Sequence, residues 1–172
     1  SLKTSNTSIC TKLAREKLSP PKESWERLNR MNFKIDFVIT CLGAGGAERM
    51  LLKLLGTIDR SVIEPRVITL TDYDQVSARL AKSFTEIDIP VVGLGMSRGI
   101  PGPHWIWRLA QLMRQRSPHL VNTWMYHADL IGGLAAKLAG SPPVIWNIRN
   151  TTLVPGKSKA MTIRTVQICA RL

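Results

Sequence analysis

TCLGAGGAERMLLKLL, residues 40–55, decides how the rest of the chain is read. The run before it, FKIDFVIT, is mainly apolar and suits a strand covered on both faces of a sheet. Gly43, Gly45 and Gly46 end that strand, and Ala47, Met50, Leu51, Leu54, Leu55 and Ile58 then recur at helical spacing. A strand-turn-helix unit follows. A dinucleotide turn needs G-x-G-x-x-G, and a nucleoside-triphosphate loop needs Lys and Ser or Thr after its last glycine. GAGGAER satisfies neither. Gly45 and Gly46 can still present backbone N–H groups at a helix start to a phosphate, a carboxylate or a sugar hydroxyl, or they can simply form a tight turn. Glu48 in the first helical turn is favourable with the helix field and serves as a cap-stabilising residue or as part of a site, while Arg49 can salt-bridge or face a phosphate.

Outward from this unit the pattern repeats. PRVITLT (65–71), IPVVGLG (89–95), HLVNTWM (119–125) and PVIWNIRN (143–150) read as further strands. Helices are expected over 74–84, 105–116 and 129–139, the second ended by Ser117 and Pro118 and the last by Gly140. Asp72 or Asp74 would cap the first of these and Asp129 the last. MSRGIPGPH (96–104) reads as an irregular connection. In the last helix Gly132, Gly133, Ala135 and Ala136 allow close approach to a sheet. The fold class expected is α/β: a Rossmann-like, open, mostly parallel sheet with helices on both faces. Residues 1–31 read as an extension with a short helical piece around WERLNRM, and residues 32–172 as the domain.

The 172 residues, 44% apolar, suffice for one ordinary core. A formal charge of +12 and the lack of any acidic residue after Asp129 favour an anionic neighbour: nucleic acid, a phosphorylated ligand or a membrane surface. Seven basic residues precede Met31, and the two tyrosines form no aromatic–basic repeat, so no stacking platform for bases and no specific nucleic-acid partner is expected. Cys10, Cys41 and Cys169 are too few and scattered for a disulfide framework or a thiolate cage, which points to a reducing compartment. No apolar run is long enough to cross a bilayer, and SLKTSNTSIC lacks the features of a signal peptide.

Ligands of open parallel sheets collect beyond the carboxyl ends of the strands, where WMYHAD and NIRNT fall together with the glycine turn. His127 can orient a hydroxyl, exchange a proton or bond an anion, or make a structural hydrogen bond. Asn147 and Arg149 can point to the same side of an extended strand, with Asn150 beside them, and Arg149 suits phosphate or carboxylate. His104 and His119 have no ligand spacing to His127, so no metal is expected, and the lack of G-x-S-x-G leaves no hydrolase triad.

GAGGAERMLLKLL after an opening strand, combined with HLVNTWMYHADLIGGLAAKLAGSPPVIWNIRNT (119–151), resembles the amino-terminal domain of the retaining GT-B glycosyltransferases of family 4. The resemblance spans residues 31–151. It implies the N-terminal half of a GT-B fold: an acceptor-side domain facing a carboxy-terminal domain that holds most of the nucleotide-sugar and carries a paired-glutamate motif. The chain ends before such a domain, so it is expected to be truncated and inactive by itself. The intact protein would move a sugar, with retention, from a nucleotide-sugar substrate to a glycan or lipid-linked acceptor, with no cofactor. It would work in the cytoplasm, peripherally at the inner face of an anionic membrane.

By the same resemblance Gly45 and Gly46 lie near the interdomain cleft, with Glu48 beside them, and His127, Asn147, Arg149 and Asn150 surround the acceptor pocket. Trp124 departs from the pattern, because many relatives have there a cleft histidine that contacts the donor sugar. No catalytic residue is therefore named. The rival readings are a non-enzymatic, glycosyltransferase-like binding or partner domain and an anion-binding or nucleic-acid-associated domain driven by the basic surface.

Overall fold

The computed structural model describes residues 32–43, 45–71, 75–96 and 102–147. The readings made for residues 1–31, Asp72 and Asp74, Arg149, Asn150 and residues 151–172 lie outside the described residues. Strands and helices alternate: β1 (Phe33–Ile39), α1 (Gly46–Leu55), β2 (Ile63–Thr71), α2 (Gln75–Glu86), β3 (Val91–Met96), α3 (Pro103–Arg116), β4 (Leu120–Trp124), α4 (Tyr126–Leu138) and β5 (Val144–Asn147). The strands form one sheet in the order β3-β2-β1-β4-β5, and every pairing in it is parallel. The chain thus winds outward from β1 to β3, then returns to lay β4 on the other side of β1. This reversal is the switch point where open parallel sheets leave a crevice at their carboxyl ends.

Two apolar layers follow from the alternation of side chains along the strands. Ile35, Phe37 and Ile39 of β1 point to the face covered by α1 and α2, where they meet Leu51, Leu55 and Phe84. Val38 points to the other face and packs with Leu109 and Met113 of α3 and Ala128, Ile131 and Ala135 of α4. The small residues of α4 act as the sequence suggests at one position in particular. A Cβ on Gly132 would stand 2.7 Å from Cγ2 of Thr123, so the helix rests on β4 closely enough to exclude a methyl group.

Asp36 interrupts the apolar run of β1 and is wholly buried. Arg66, its neighbour in register on β2, donates from Nε and Nη2 at 3.0 and 2.6 Å to the two carboxylate oxygens. Arg116 donates to the same carboxylate at 2.7 Å and to Glu64 at 3.0 Å. The guanidiniums also reach the carbonyl oxygens of Leu112, Ile35 and Glu64. The carboxyl end of α3 is thereby tied to β1 and β2, with the Arg116 cation also favourable at a helix end.

Element boundaries shift in informative ways. Helix α3 begins at Pro103, two residues before its expected start, because proline at the first helical position forfeits no intrahelical hydrogen bond. His119 stays outside β4: its N–H donates to the Lys34 carbonyl, its Nδ1 accepts from the Lys34 N–H at 3.0 Å, and its ring stacks on Phe33. Helix α4 begins at Tyr126 rather than at Asp129. Met125 makes the turn in one residue with φ 76° and ψ 149°, a conformation that costs a side-chain-bearing residue about 1–3 kcal/mol.

Candidate functional site

The parallel register brings the strand ends level. Ile39 of β1 pairs with Trp124 of β4, and Trp124 with Asn147 of β5. The segments that follow β1 and β4 therefore leave the same end of the sheet on either side of the switch point. The Gly45-Gly46 turn, His127 and Asn147 all belong to that end.

Both helices there start alike. The residues preceding α1 and α4, Gly45 and Met125, form no side-chain cap, and the first intrahelical amides are those of Arg49, bonded to the Gly45 carbonyl, and Asp129, bonded to that of Met125. The N–H groups of the two first turns are thus left to other partners, which makes each turn suited to an anion or a hydroxyl. Gly45 and Gly46 are exposed, and an added Cβ on Gly46 would meet nothing, so the turn offers backbone without obstruction. His127 is exposed in the first turn of α4.

Each first turn also carries an inward carboxylate. Glu48 is only 5% exposed, and its carboxylate folds back over the turn. Its Oε2 would lie 2.5 Å from a Cβ on Gly45, and Cys41 Sγ contacts its Oε1 at 3.9 Å. Glu48 thus supports the turn from beneath rather than standing in its opening. Asp129 is 4% exposed and accepts a 2.6 Å hydrogen bond from the Thr123 hydroxyl. Burial raises its carboxyl from 3.8 to about 6, against the Thr123 hydrogen bond, which pulls it down. The expectation that Asp129 caps α4 is corrected: it lies within the helix and braces it against β4.

Trp124 is also placed differently from the cleft position expected for it. Its side chain is 2% exposed and packs in the α1-side core with Ile39, Leu42 and Leu51. Strand parity explains this, since the residue level with Ile39 shares its face. An indole so deeply packed presents no ring face to a ligand. Asn147 lies beside it at the end of the edge strand and is partly exposed. A separate cleft of about 320 Å³ lined by Gly133, Lys137, Ser141, Pro142, Val144 and Trp146 opens beside later turns of α4 and the start of β5, away from the glycine turn. Among the described residues no cluster of three or more His, Cys, Asp or Glu side chains could hold a metal, and no helix is long and apolar enough to cross a membrane.

Sequence reasoning missed Thr123, Met125 and the inward role of both carboxylates. The Thr123–Asp129 spacing is a signal only once the strand is known to run straight into the helix.

This fold belongs to one half of the GT-B architecture. The family model for glycosyltransferase family 4 matches residues 44–170, and the chain belongs to that family. No curated protein matches the sequence. Among solved structures, the Anabaena protein Alr3699/HepE, crystallised in complex with UDP and glucose, aligns with a TM-score of 0.62 at 20% identity, covering 81% of this chain and 35% of its own. The apo form of WaaB, a lipopolysaccharide outer core galactosyltransferase, aligns with a TM-score of 0.54 at 18% identity, covering 66% and 32%. The chain thus spans about a third of the length of these structures.

Proposed function

We propose that this chain is the acceptor-side domain of a retaining glycosyltransferase that moves a sugar from a nucleotide-sugar to a glycan or lipid-linked acceptor. Transfer requires a donor-binding domain as well, and the part assigned to this domain is to bind the acceptor. The observation that carries the reading is the level register of β1, β4 and β5, with two helix starts lacking side-chain caps on either side of the switch point. Family membership supports the reaction type. HepE, with UDP and glucose bound, and WaaB, a galactosyltransferase, support the substrate class by analogy of fold.

In this reading Gly45 and Gly46 lie against the donor diphosphate or the acceptor, His127 and Asn147 bind acceptor hydroxyls, and Arg149 and Asn150 take part in acceptor binding. Glu48 and Trp124 support the site without touching substrate. Oriented backbone N–H groups stabilise negative charge as the diphosphate departs, because fixed dipoles need not reorganise during reaction. No cofactor is required. The protein works at the cytoplasmic face of an anionic membrane, where a lipid-linked acceptor is available.

The test has two arms. The chain is titrated with glycan acceptors and with a random polyanion at two salt concentrations; binding of acceptor that survives high salt and falls in His127→Ala and Asn147→Ala is expected. Binding of polyanions alone, lost sharply as salt rises, refutes the acceptor site. The full-length protein is then assayed with a panel of activated sugars and acceptors, and hydrolysis without transfer, or an inverted product, refutes the mechanism.

A further inference from the structure

The cleft of about 320 Å³ beside α4 and β5 is used by neither the core nor the candidate site. One wall is β5, where Trp146 stands level with Thr123 and so shares the face that meets α4. The other is α4 at Gly133 and Lys137, one helical turn apart. A Cβ on Gly133 would stand 3.8 Å from Cζ2 and Nε1 of Trp146, so about one methyl group of space separates the indole from the helix backbone. Pro142 and Val144 supply the remaining apolar lining. The connection from α4 to β5 is pinned at both ends: the Ser141 N–H donates to the Ala136 carbonyl and the Pro143 carbonyl accepts from the Val121 N–H, each at 2.9 Å. Two prolines fix φ between those bonds, so the cleft is formed before any ligand arrives. Its polar groups are the Lys137 ammonium, the Ser141 hydroxyl and the Trp146 indole N–H. All three can donate a hydrogen bond, and none of these side chains has an ion pair or hydrogen bond to protein. The lining holds no carboxylate, and no acidic residue follows Asp129 in the chain.

We propose that this cleft binds a small planar aromatic carboxylate, its ring against Trp146, Pro142 and Val144 and its carboxylate at Lys137 and Ser141. Each part of the lining selects for part of that ligand. An indole gains most from another flat ring, and the apolar wall gains by leaving water. Donors without an acid among them call for an acceptor that carries charge, and one lysine balances one carboxylate. A diphosphate would bring more charge than Lys137 can meet. A sugar would bring hydroxyls all around its ring, and an apolar wall would leave several of them unpaired. The volume stands at the lower end of the range of about 300–1,000 Å³ over which small-molecule sites occur, which suits one or two rings and excludes a nucleotide-sugar. Lys137 also lies in the last turn of α4, where a cation is favourable, but that field leaves its hydrogens free to donate. The cleft lies away from the glycine turn, so the proposal stands whether or not the chain serves in sugar transfer.

The experiment is calorimetric titration of the whole chain with 2-naphthoate, with its neutral isostere 2-naphthamide and with acetate, which carries the charge without the ring. One-to-one binding of naphthoate is expected, with the amide and acetate each weaker by on the order of tenfold or more. Lys137 is exposed, and glutamine is a good helix former, so Lys137→Gln retains the fold, checked by far-UV circular dichroism. It should abolish the preference for naphthoate over the amide, and Lys137→Arg, which keeps the charge, should restore it. Ser141→Gly removes the hydroxyl at a φ of 60°, where glycine is unstrained, and should weaken naphthoate several-fold without loss of stability. Lys53→Gln, an exposed lysine on α1, should bind as wild type. The place of binding is read from the indole N–H resonance that Trp146→Phe deletes, which should shift in step with saturation by naphthoate. Equal binding of naphthoate and the amide, an unchanged preference in Lys137→Gln, saturation that leaves the Trp146 resonance in place, or no saturation by about 10 mM would each overturn the proposal.

Discussion

Replacing Asp129 by Asn should make the protein's stability less dependent on pH, with a sign opposite to that of an ordinary salt-bridged carboxylate. Burial under α4 raises the Asp129 carboxyl to about 6, whereas its unfolded value is 3.8. Two effects oppose that rise: the hydrogen bond donated by Thr123 and the position in the first turn of a helix, worth about 0.3–1 kcal/mol to a charge. The net direction is upward, so desolvation wins. Below pH 3.8 both states hold the proton and the group is neutral in its effect on pH dependence. As pH rises from about 4 to about 6 the unfolded chain loses its proton first, so stability falls, and the fall is complete above the folded value. At about 1.4 kcal/mol per pH unit between 3.8 and about 6, wild type loses about 3 kcal/mol from this residue by pH 7. Asparagine keeps an acceptor for the Thr123 hydroxyl and carries no proton equilibrium. Urea unfolding followed by circular dichroism from pH 4 to 8 should therefore show the variant gaining on wild type by up to about 3 kcal/mol as pH rises. Taking the difference cancels the remaining carboxylates, among them Asp59, which the Ser61 hydroxyl and N–H hold below the usual range. A flat difference curve, or one that falls with pH, would refute the account of Asp129 as a carboxyl held up by burial.

Asp36→Ala should destabilise the fold by about 3–5 kcal/mol in urea unfolding, because it leaves Arg66 and Arg116 largely buried without their carboxylate. Gly132→Ala should cost about 1–3 kcal/mol, since its new methyl would meet Thr123 Cγ2 at 2.7 Å, while Gly133→Ala, with Trp146 at 3.8 Å, should gain up to about 1 kcal/mol from helix propensity. Equal effects of the two glycine changes on thermal unfolding would contradict the close approach of α4 to β4. Gly45→Ala should displace the Glu48 carboxylate from its buried seat, and Glu48→Ala should relieve most of that cost, so a double-mutant cycle is expected to show coupling of about 0.5–3 kcal/mol.

The overall architecture was legible because each signal in it is local. The apolar run FKIDFVIT, the glycines after it and the helical spacing from Ala47 to Leu55 each depend on near neighbours, and together they demand a strand, a turn and a helix. Repetition of that unit leaves few topologies besides a parallel sheet, and the observed sheet is parallel throughout. The start of α4 was not legible. Aspartate is a favoured cap, so the sequence points to Asp129, yet the chain turns at Met125 in a conformation that methionine rarely adopts and no residue type announces. The partners of Asp36 were hidden for a different reason: Arg66 is 30 positions away and Arg116 is 80, and only the register of β1 on β2 and the end of α3 bring them together. Trp124 could be recognised as occupying an unusual position, but its burial depends on strand parity against Ile39, which a shift of one residue would reverse.

The first turn of α4 has one physical property that can be measured: its inward Asp129 carboxylate is held up to about 6 by burial. At pH 7 its negative charge opposes the positive end of the α4 dipole, and protonation removes that opposition while the Thr123 pairing keeps the side chain in place. Anion affinity at the start of α4 should thus rise as pH falls through about 6, and Asp129→Asn should hold the high value at every pH. Imidazoles also gain charge in acid, so the comparison belongs in a His127→Gln background. Titration with inorganic pyrophosphate from pH 5 to 8 at constant ionic strength, corrected for the ligand's own protonation, provides the readout. If His127→Gln binds equally at both ends of that range, or if Asp129→Asn retains the full pH dependence, the field at the start of α4 is not set by Asp129.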